Sequence, residues 1–250
     1  MGERLVYVYA VGDAGLAVPG LTGVDGAAVR TVVEGSLAAA VGDVDAARFG
    51  EDALRQSVED LRWLEATARA HDAVVAALAA GGPVAPLRMA TIYRDEAGVR
   101  ALLRERATAF AAALDRIRGK VEWGVKAYAV AAAAAVAEPV PDSARPGTSY
   151  LLRRQAQRAH AENGRADAVA AAQRMHEELA GLAVASRVYP PQDPRLSGRR
   201  EEMVLNAAYL VAAGDAGLRR AVADAAHEAV RFELTGPWAA YSFATLEGGA

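Results

Sequence analysis

The chain has 250 residues, of which 53% are hydrophobic, 24% charged and 6% aromatic, with a formal net charge of −3 and no cysteine. That composition supports a folded core in one large domain or two ordinary ones. It excludes global disorder, a disulfide framework, a thiolate metal site and a Cys nucleophile. Charge is balanced along the chain, with 15 basic and 18 acidic groups in residues 1–140 and 13 of each in 141–250, which argues against a dedicated nucleic-acid footprint.

Alanine contributes 62 residues, so the hydrophobic fraction overstates the area available for burial. Lys120 and Lys126 are the only lysines, leaving Arg as 26 of the 28 basic residues. The Ala and Arg excess reads first as codon bias in a GC-rich genome. The apolar run Leu5–Val11 directly follows charged residues and is too short for a secretory h-region with a cleavage site. The longest apolar stretch, Ala127 to Ala137, has 11 residues against the ~20 needed to span a bilayer. A soluble cytoplasmic protein without membrane contact is expected.

Residues 5–11 are β-branched and aromatic and predict a strand. After a Gly/Pro-rich stretch, Val29–Val33 and Leu37–Val41 flank Glu34-Gly35-Ser36 and predict a hairpin. A helix is expected from about Gln56 to Ala80, with Val58, Leu61, Leu64, Ala68, His71, Val75 and Leu78 on one face. Gly81-Gly82-Pro83 ends it, and Val84–Tyr93 reads as a buried strand. Asp95 is placed to cap a helix whose stripe is Val99, Leu102, Leu103, Phe110, Leu114 and Ile117, with Gly119 at its C-terminal end.

Residues 121–129 alternate with period two, setting Val121, Trp123, Val125, Ala127 and Ala129 against Glu122, Gly124, Lys126 and Tyr128. A Pro-rich connector, 138–147, leads to a long helix from about Thr148 to Ala180 with a thin, Ala-rich stripe. Leu182–Tyr189 and Met203–Val211 read as strands around a polar loop at 190–200, Leu218–Val230 as a helix and Phe232–Phe243 as extended chain. The whole is an α+β protein of two domains. Residues 1–119 form a β-β-β-α-β-α sheet-and-helix domain, and 120–250 follow the β-α-β-β-α-β order of a ferredoxin-like domain with a long first helix. An alternative boundary lies near residue 140.

Catalytic signatures are missing. There is no Walker A sequence, no G-x-G-x-x-G, no G-x-S-x-G elbow, and no pair of histidines at i+3 or i+4 among His71, His160, His176 and His227. Gly20, Gly23 and Gly26 are spaced by three but open no convincing helix. His71 lies on an apolar stripe, where a buried, hydrogen-bonded histidine is a better reading than a general base or ligand. Glu122 and Lys126 share a strand face ~13 Å apart at ~3.3 Å per residue. They read as surface charges or as neighbours of groups on other strands. Arg153, Arg154, Arg158 and Arg165 make a solvated helix face rather than an RNA surface, since Glu162 and Asp167 interrupt them. The aromatics Trp123, Tyr128, Tyr189, Tyr209, Trp238, Tyr241 and Phe243 fall mostly on expected strands and read first as core and cross-strand packing.

Four further stretches carry a resemblance. They are Pro86-Leu87-Arg88-Met89-Ala90-Thr91-Ile92-Tyr93, preceded by Trp63-Leu64 and His71; Glu122-Trp123-Gly124-Val125-Lys126; Gly147-Thr148-Ser149-Tyr150-Leu151-Leu152-Arg153-Arg154; and Leu205–Val211 followed by Gly236-Pro237-Trp238-Ala239-Ala240-Tyr241-Ser242-Phe243. In this order, with Val6–Val11 ahead of them, they resemble the gas vesicle protein F/L family (GvpF/GvpL) over roughly residues 5–245. The family usually has Phe-Gly where this chain has Met89-Ala90, and prolines where it has Ala239-Ala240.

The resemblance implies two α+β domains, the second ferredoxin-like. It implies a non-enzymatic accessory or minor structural protein of gas vesicles, the buoyancy organelles, with no cofactor or metal. It also implies binding to the small apolar shell protein GvpA, with limited shell-protein aggregation during nucleation, and association with other gas vesicle accessory proteins or the vesicle. Trp238, Tyr241 and Phe243 are the candidate partner-binding residues, on an extended aromatic segment beside a Gly-Pro turn; closing the second domain's core is the competing role of Trp238 and Tyr241. A small-molecule-binding regulatory module on a ferredoxin-like sheet is the alternative function. An enzyme would need Glu122, His71, Arg88 and Lys126 to cluster.

Overall fold

The structure, a computed structural model, describes residues 3–57, 59–130, 146–192, 201–225 and 227–244; for 146–153, 156, 157 and 160 it describes the backbone alone. Most of the Pro-rich connector, the alternative boundary near 140 and most of the loop 190–200 lie outside the described residues. The chain divides into two compact units. One comprises Met1–Glu122 together with the chain from Pro237, and the other comprises Trp123–Gly236. The expected division assigned everything after 119 to the second domain, whereas the described stretch 237–244 packs with the first.

In the first unit, β1 (Arg4–Asp13) lies at the centre of an antiparallel sheet. Its neighbours are β3 (Leu37–Asp45) on one side and β4 (Val84–Pro86) on the other, with β2 (Arg30–Glu34) outside β3. β5 (Ile92–Tyr93) pairs with β1 further along, through Val6 and Tyr7. Val6 to Val11 are all buried, as a continuous apolar run requires of a strand covered on both faces. The β2–β3 hairpin turns through two residues, and Gly35 supplies a φ of 59° there.

Two short helices follow β3, α1 (Ala46–Phe49) and α2 (Glu51–Ser57). The expected single helix from Gln56 divides before Leu61, because the Asp60 side chain accepts from the Arg62 and Trp63 N–H groups and starts α3 (Leu61–Gly81) afresh. On α3, His71, Val74, Val75 and Leu78 are buried, while Leu61 is exposed. Val74, Val75 and Leu78 join Tyr7, Tyr9, Val24, Phe49 and Val84 in the first unit's core. The helix capped by Asp95 also divides, at Arg106, into α4 (Glu96–Glu105) and α5 (Ala107–Ile117). Gly119 ends this helical stretch with φ 68°.

The glycines at 20, 23 and 26 serve chain geometry. Gly20 and Gly26 take φ of 63° and 70°. A Cβ on Gly23 would collide with the Tyr9 hydroxyl, which accepts the Val24 N–H at 2.8 Å.

The second sheet contains β6 (Lys120–Ala129), β7 (Ala185–Val188), β8 (Met203–Ala212) and β9 (Val230–Trp238), in the order β7-β8-β6-β9. With α6 (Pro146–Leu182) after β6 and α7 (Gly217–Asp224) after β8, this is the ferredoxin-like β-α-β-β-α-β arrangement. α6 has 37 residues, about 55 Å at ~1.5 Å per residue. Its buried positions Ala168, Ala171, Ala172, Met175 and Leu179 are the Ala-rich stripe of the sequence. The polar face expected of β6 is not solvated throughout, since Glu122 and Tyr128 are both buried. The Arg231 guanidinium lies over the Tyr128 ring, 5.1 Å from its centroid.

Candidate functional site

The first unit carries an open groove of about 550 Å³. α3 contributes Ala68, Arg69, His71 and Asp72; β4 and the connector beyond it contribute Pro86, Leu87, Arg88 and Met89; and Tyr241 completes the wall. Most of the Pro-Leu-Arg-Met-Ala-Thr-Ile-Tyr stretch singled out in the sequence therefore forms the groove or its immediate support. The expected strand Val84–Tyr93 is interrupted there. Leu87 still donates its N–H to the Tyr9 carbonyl at 2.9 Å, but Thr91 turns back to the Arg88 carbonyl through its N–H and its hydroxyl. Ala90 takes φ 61°, a left-handed conformation that favours glycine, at the position where the resembling family usually has one.

Beneath the groove, the Tyr7 hydroxyl accepts the Ala90 N–H and lies 3.0 Å from His71 Nδ1. His71 Nε2 is buried and makes no hydrogen bond among the described residues. Burial lowers the His71 pKa below its ordinary 6.5, against smaller opposing effects from Asp72 and the nearby Leu87 backbone. His71 is thus the buried, hydrogen-bonded histidine that its apolar stripe implied. Desolvation also raises the neighbouring phenols, Tyr9 to about 12, with Tyr7 higher still.

The three candidate aromatics have different surroundings. Trp238, at the end of β9, is 46% exposed. Tyr241 is half-buried, packs against the first unit's core and donates its hydroxyl to Asp72 at 3.2 Å; burial raises its pKa, and the Asp72 charge adds to that. Phe243 is buried, and its carbonyl accepts from Arg116 at 3.1 Å. Neither Tyr241 nor Phe243 closes the second domain's core. Between them, Ser242 gives its N–H and its hydroxyl to the Glu122 carboxylate at 2.8 and 2.6 Å. Of the two readings of Glu122, a surface charge or a neighbour of groups elsewhere in the fold, the first is excluded by its burial against Ser242. Sequence reading missed this contact, and the Gly236-Pro237 punctuation was the one local sign of the chain's change of course.

The four residues of the enzyme reading have different surroundings. His71 and Arg88 share the groove, Glu122 holds Ser242, and Lys126 belongs to the second unit, where its ammonium lies 3.3 Å from Gln192 Oε1. A second His–Tyr pair occurs there, His176 Nδ1 to the Tyr209 hydroxyl at 2.8 Å. Arg165 of the long helix is paired with Glu202 at 2.8 Å. No described helix is long and apolar enough to cross a membrane.

Residues 5–245 match the family described as gas vesicle synthesis protein GvpL/GvpF. The chain belongs to the GvpL/GvpF family. Gas vesicle protein L of Streptomyces sp. (strain CB03234) is 46% identical, over 98% of this chain and 94% of the relative. Gas vesicle protein F of the same strain is 37% identical over 99 residues, 40% of this chain and 36% of that one. Two crystal structures share the fold at 17% identity. GvpF from Anabaena sp. PCC7120 has a TM-score of 0.68, covering 99% of this chain and 98% of that chain. GvpF from Microcystis aeruginosa has a TM-score of 0.66, covering 97% and 99%. GvpL/GvpF membership gives the chain a gas vesicle role.

Proposed function

We propose that this GvpL/GvpF chain acts in gas vesicle assembly in the cytoplasm by binding the apolar shell protein GvpA and limiting its aggregation while the wall nucleates. The observation that carries the reading is Trp238, a large aromatic side chain left 46% exposed at the end of β9. β9 ends the strand order of its sheet, so one of its edges has no strand partner among the described residues. An open edge with an exposed aromatic suits strand addition by a partner that assembles through apolar surface. Tyr241 contributes a second aromatic contact from the groove, and buried Phe243 anchors the segment. Other accessory proteins are further partners, and the reading assigns the chain no catalysis and no cofactor. The full-length similarity to the L relative supports an L-type role.

Co-expression with the shell protein tests this. The chain should co-purify with the shell protein and raise its soluble fraction, and Trp238→Ala should lower both while melting like wild type. Unchanged shell-protein solubility with the wild-type chain would refute direct holding. The regulatory-module reading draws on the groove volume, which lies within the range of small-molecule sites. Calorimetry against amino acids and nucleotides separates the two, because the assembly reading predicts no specific heat.

A further inference from the structure

The long helix α6 has two faces of different character. Its inner face holds the buried residues Ala168, Ala171, Ala172, Met175 and Leu179. On the opposite side, Ala159, Asn163, Ala166, Ala170, Arg174 and Glu177 recur at spacings of three and four and so share one outer face. All six are exposed, and so is Asp167 beside Ala166 and Ala170. From Ala159 to Glu177 the face is about 27 Å long at ~1.5 Å per residue.

This face is complementary to itself. Its middle, Ala166 and Ala170, carries only methyl groups, so a second helix can approach closely there. Its two opposite charges flank Ala170, with Asp167 on the N-terminal side and Arg174 on the C-terminal side. Neither makes an ion pair among the described residues. An antiparallel copy of α6, related by a two-fold axis at Ala170, brings Arg174 level with the partner's Ala166 and the partner's Asp167. The small Ala166 side chain leaves room for the guanidinium to cross and reach the carboxylate. The same register sets Asn163 level with the partner's Glu177, where the amide can donate to the carboxylate. Every contact occurs twice, as a two-fold interface requires, and the charges match without any third component.

We propose that the outer face of α6 is a self-association surface, on which a second copy of this chain packs its own α6 antiparallel, crossing at Ala170 and exchanging Arg174–Asp167 ion pairs. Alanines supply most of its apolar area, so the contact belongs to the weak, concentration-dependent class.

Sedimentation velocity of the full chain over a concentration series tests this, with thermal melts to check the fold of each variant. Wild type should pass from monomer to dimer as concentration rises, and added salt should favour the monomer. Arg174→Asp and Asp167→Arg, each alone, should raise the dissociation constant about tenfold, because each sets like charges against each other across the axis. The two reversals combined should restore wild-type association. The chain has no cysteine, so Ala170→Cys introduces a single thiol at the crossing point. A short thiol-to-thiol cross-linker should join Ala170→Cys chains in pairs and leave Arg154→Cys chains, labelled on another side of the helix, single.

A wild-type chain that stays monomeric at every concentration overturns the proposal. A dimer that keeps its affinity in both single reversals overturns it too, as does a combined reversal no tighter than the single ones. Cross-linking through position 154 in place of 170 would show a dimer built on a different face and equally refute it.

Discussion

The Glu122 carboxylate grips Ser242 twice, through its backbone N–H at 2.8 Å and its hydroxyl at 2.6 Å, across 120 positions of sequence. Both residues are buried. The contact fastens the stretch after β9 onto the first unit. Glu122→Ala would leave the Ser242 N–H without its acceptor, a loss of about 1–3 kcal/mol. Urea unfolding should show that loss. Limited proteolysis should show earlier cleavage between Pro237 and Ala244 than in wild type.

Trp238 and Phe243 should separate binding from stability. Phe243→Ala removes a buried ring and should cost about 3–5 kcal/mol. Trp238→Ala removes a half-exposed one and should shift the melting midpoint much less. Thermal unfolding of the two variants side by side checks the contrast.

Ala90 is predicted to be a strained position. Its φ of 61° disfavours a side chain by about 1–2 kcal/mol, of which the greater freedom of glycine in the unfolded chain returns part. Ala90→Gly should therefore raise stability by about 0.5–1 kcal/mol, and Ala90→Val should lower it. Denaturant titration of both variants measures the sign.

His71 gives the first unit a pH dependence. Tyr7 faces its Nδ1, and Asp72 and the Leu87 backbone are its other polar neighbours. Its folded pKa is depressed below 6.5, so between that depressed value and 6.5 the unfolded chain binds more protons than the folded one. The contribution is complete above pH 6.5 and is lost as pH falls through the folded value. Unfolding free energies measured from pH 7.5 downward should decline, and the decline should flatten in His71→Phe relative to wild type.

Several elements were legible because their signals are local. Asp95 caps its helix, Gly119 and Gly35 take positive φ, and the period of two in 121–129 marks β6. The Ala-rich stripe of the long helix also faces inward as read. Other features depend on partners far along the chain. Alternation on β6 assigns Glu122 to a solvated face and cannot register Ser242 closing over it. A continuous apolar stripe runs through Arg106 although the helix breaks there. The run from Val84 to Tyr93 reads as one buried strand, although Pro86 already interrupts it and β4 ends there. The candidate aromatics could not be sorted from sequence into Trp238, exposed, and Phe243, buried, because both sit in the same short aromatic run.

The return of residues 237–244 to the first unit orders events during synthesis. Everything that forms the second unit leaves the ribosome before the first unit has Tyr241, Ser242 and Phe243 to finish its packing. Domains ordinarily mature from the N-terminus as the chain emerges. Here the unit that begins first is completed after the second, and the groove lacks its Tyr241 wall until β9 has been made. A nascent chain stalled after β9 would have a complete ferredoxin-like unit and an unfinished groove, so the groove's Tyr241 wall forms only after the second unit's last strand.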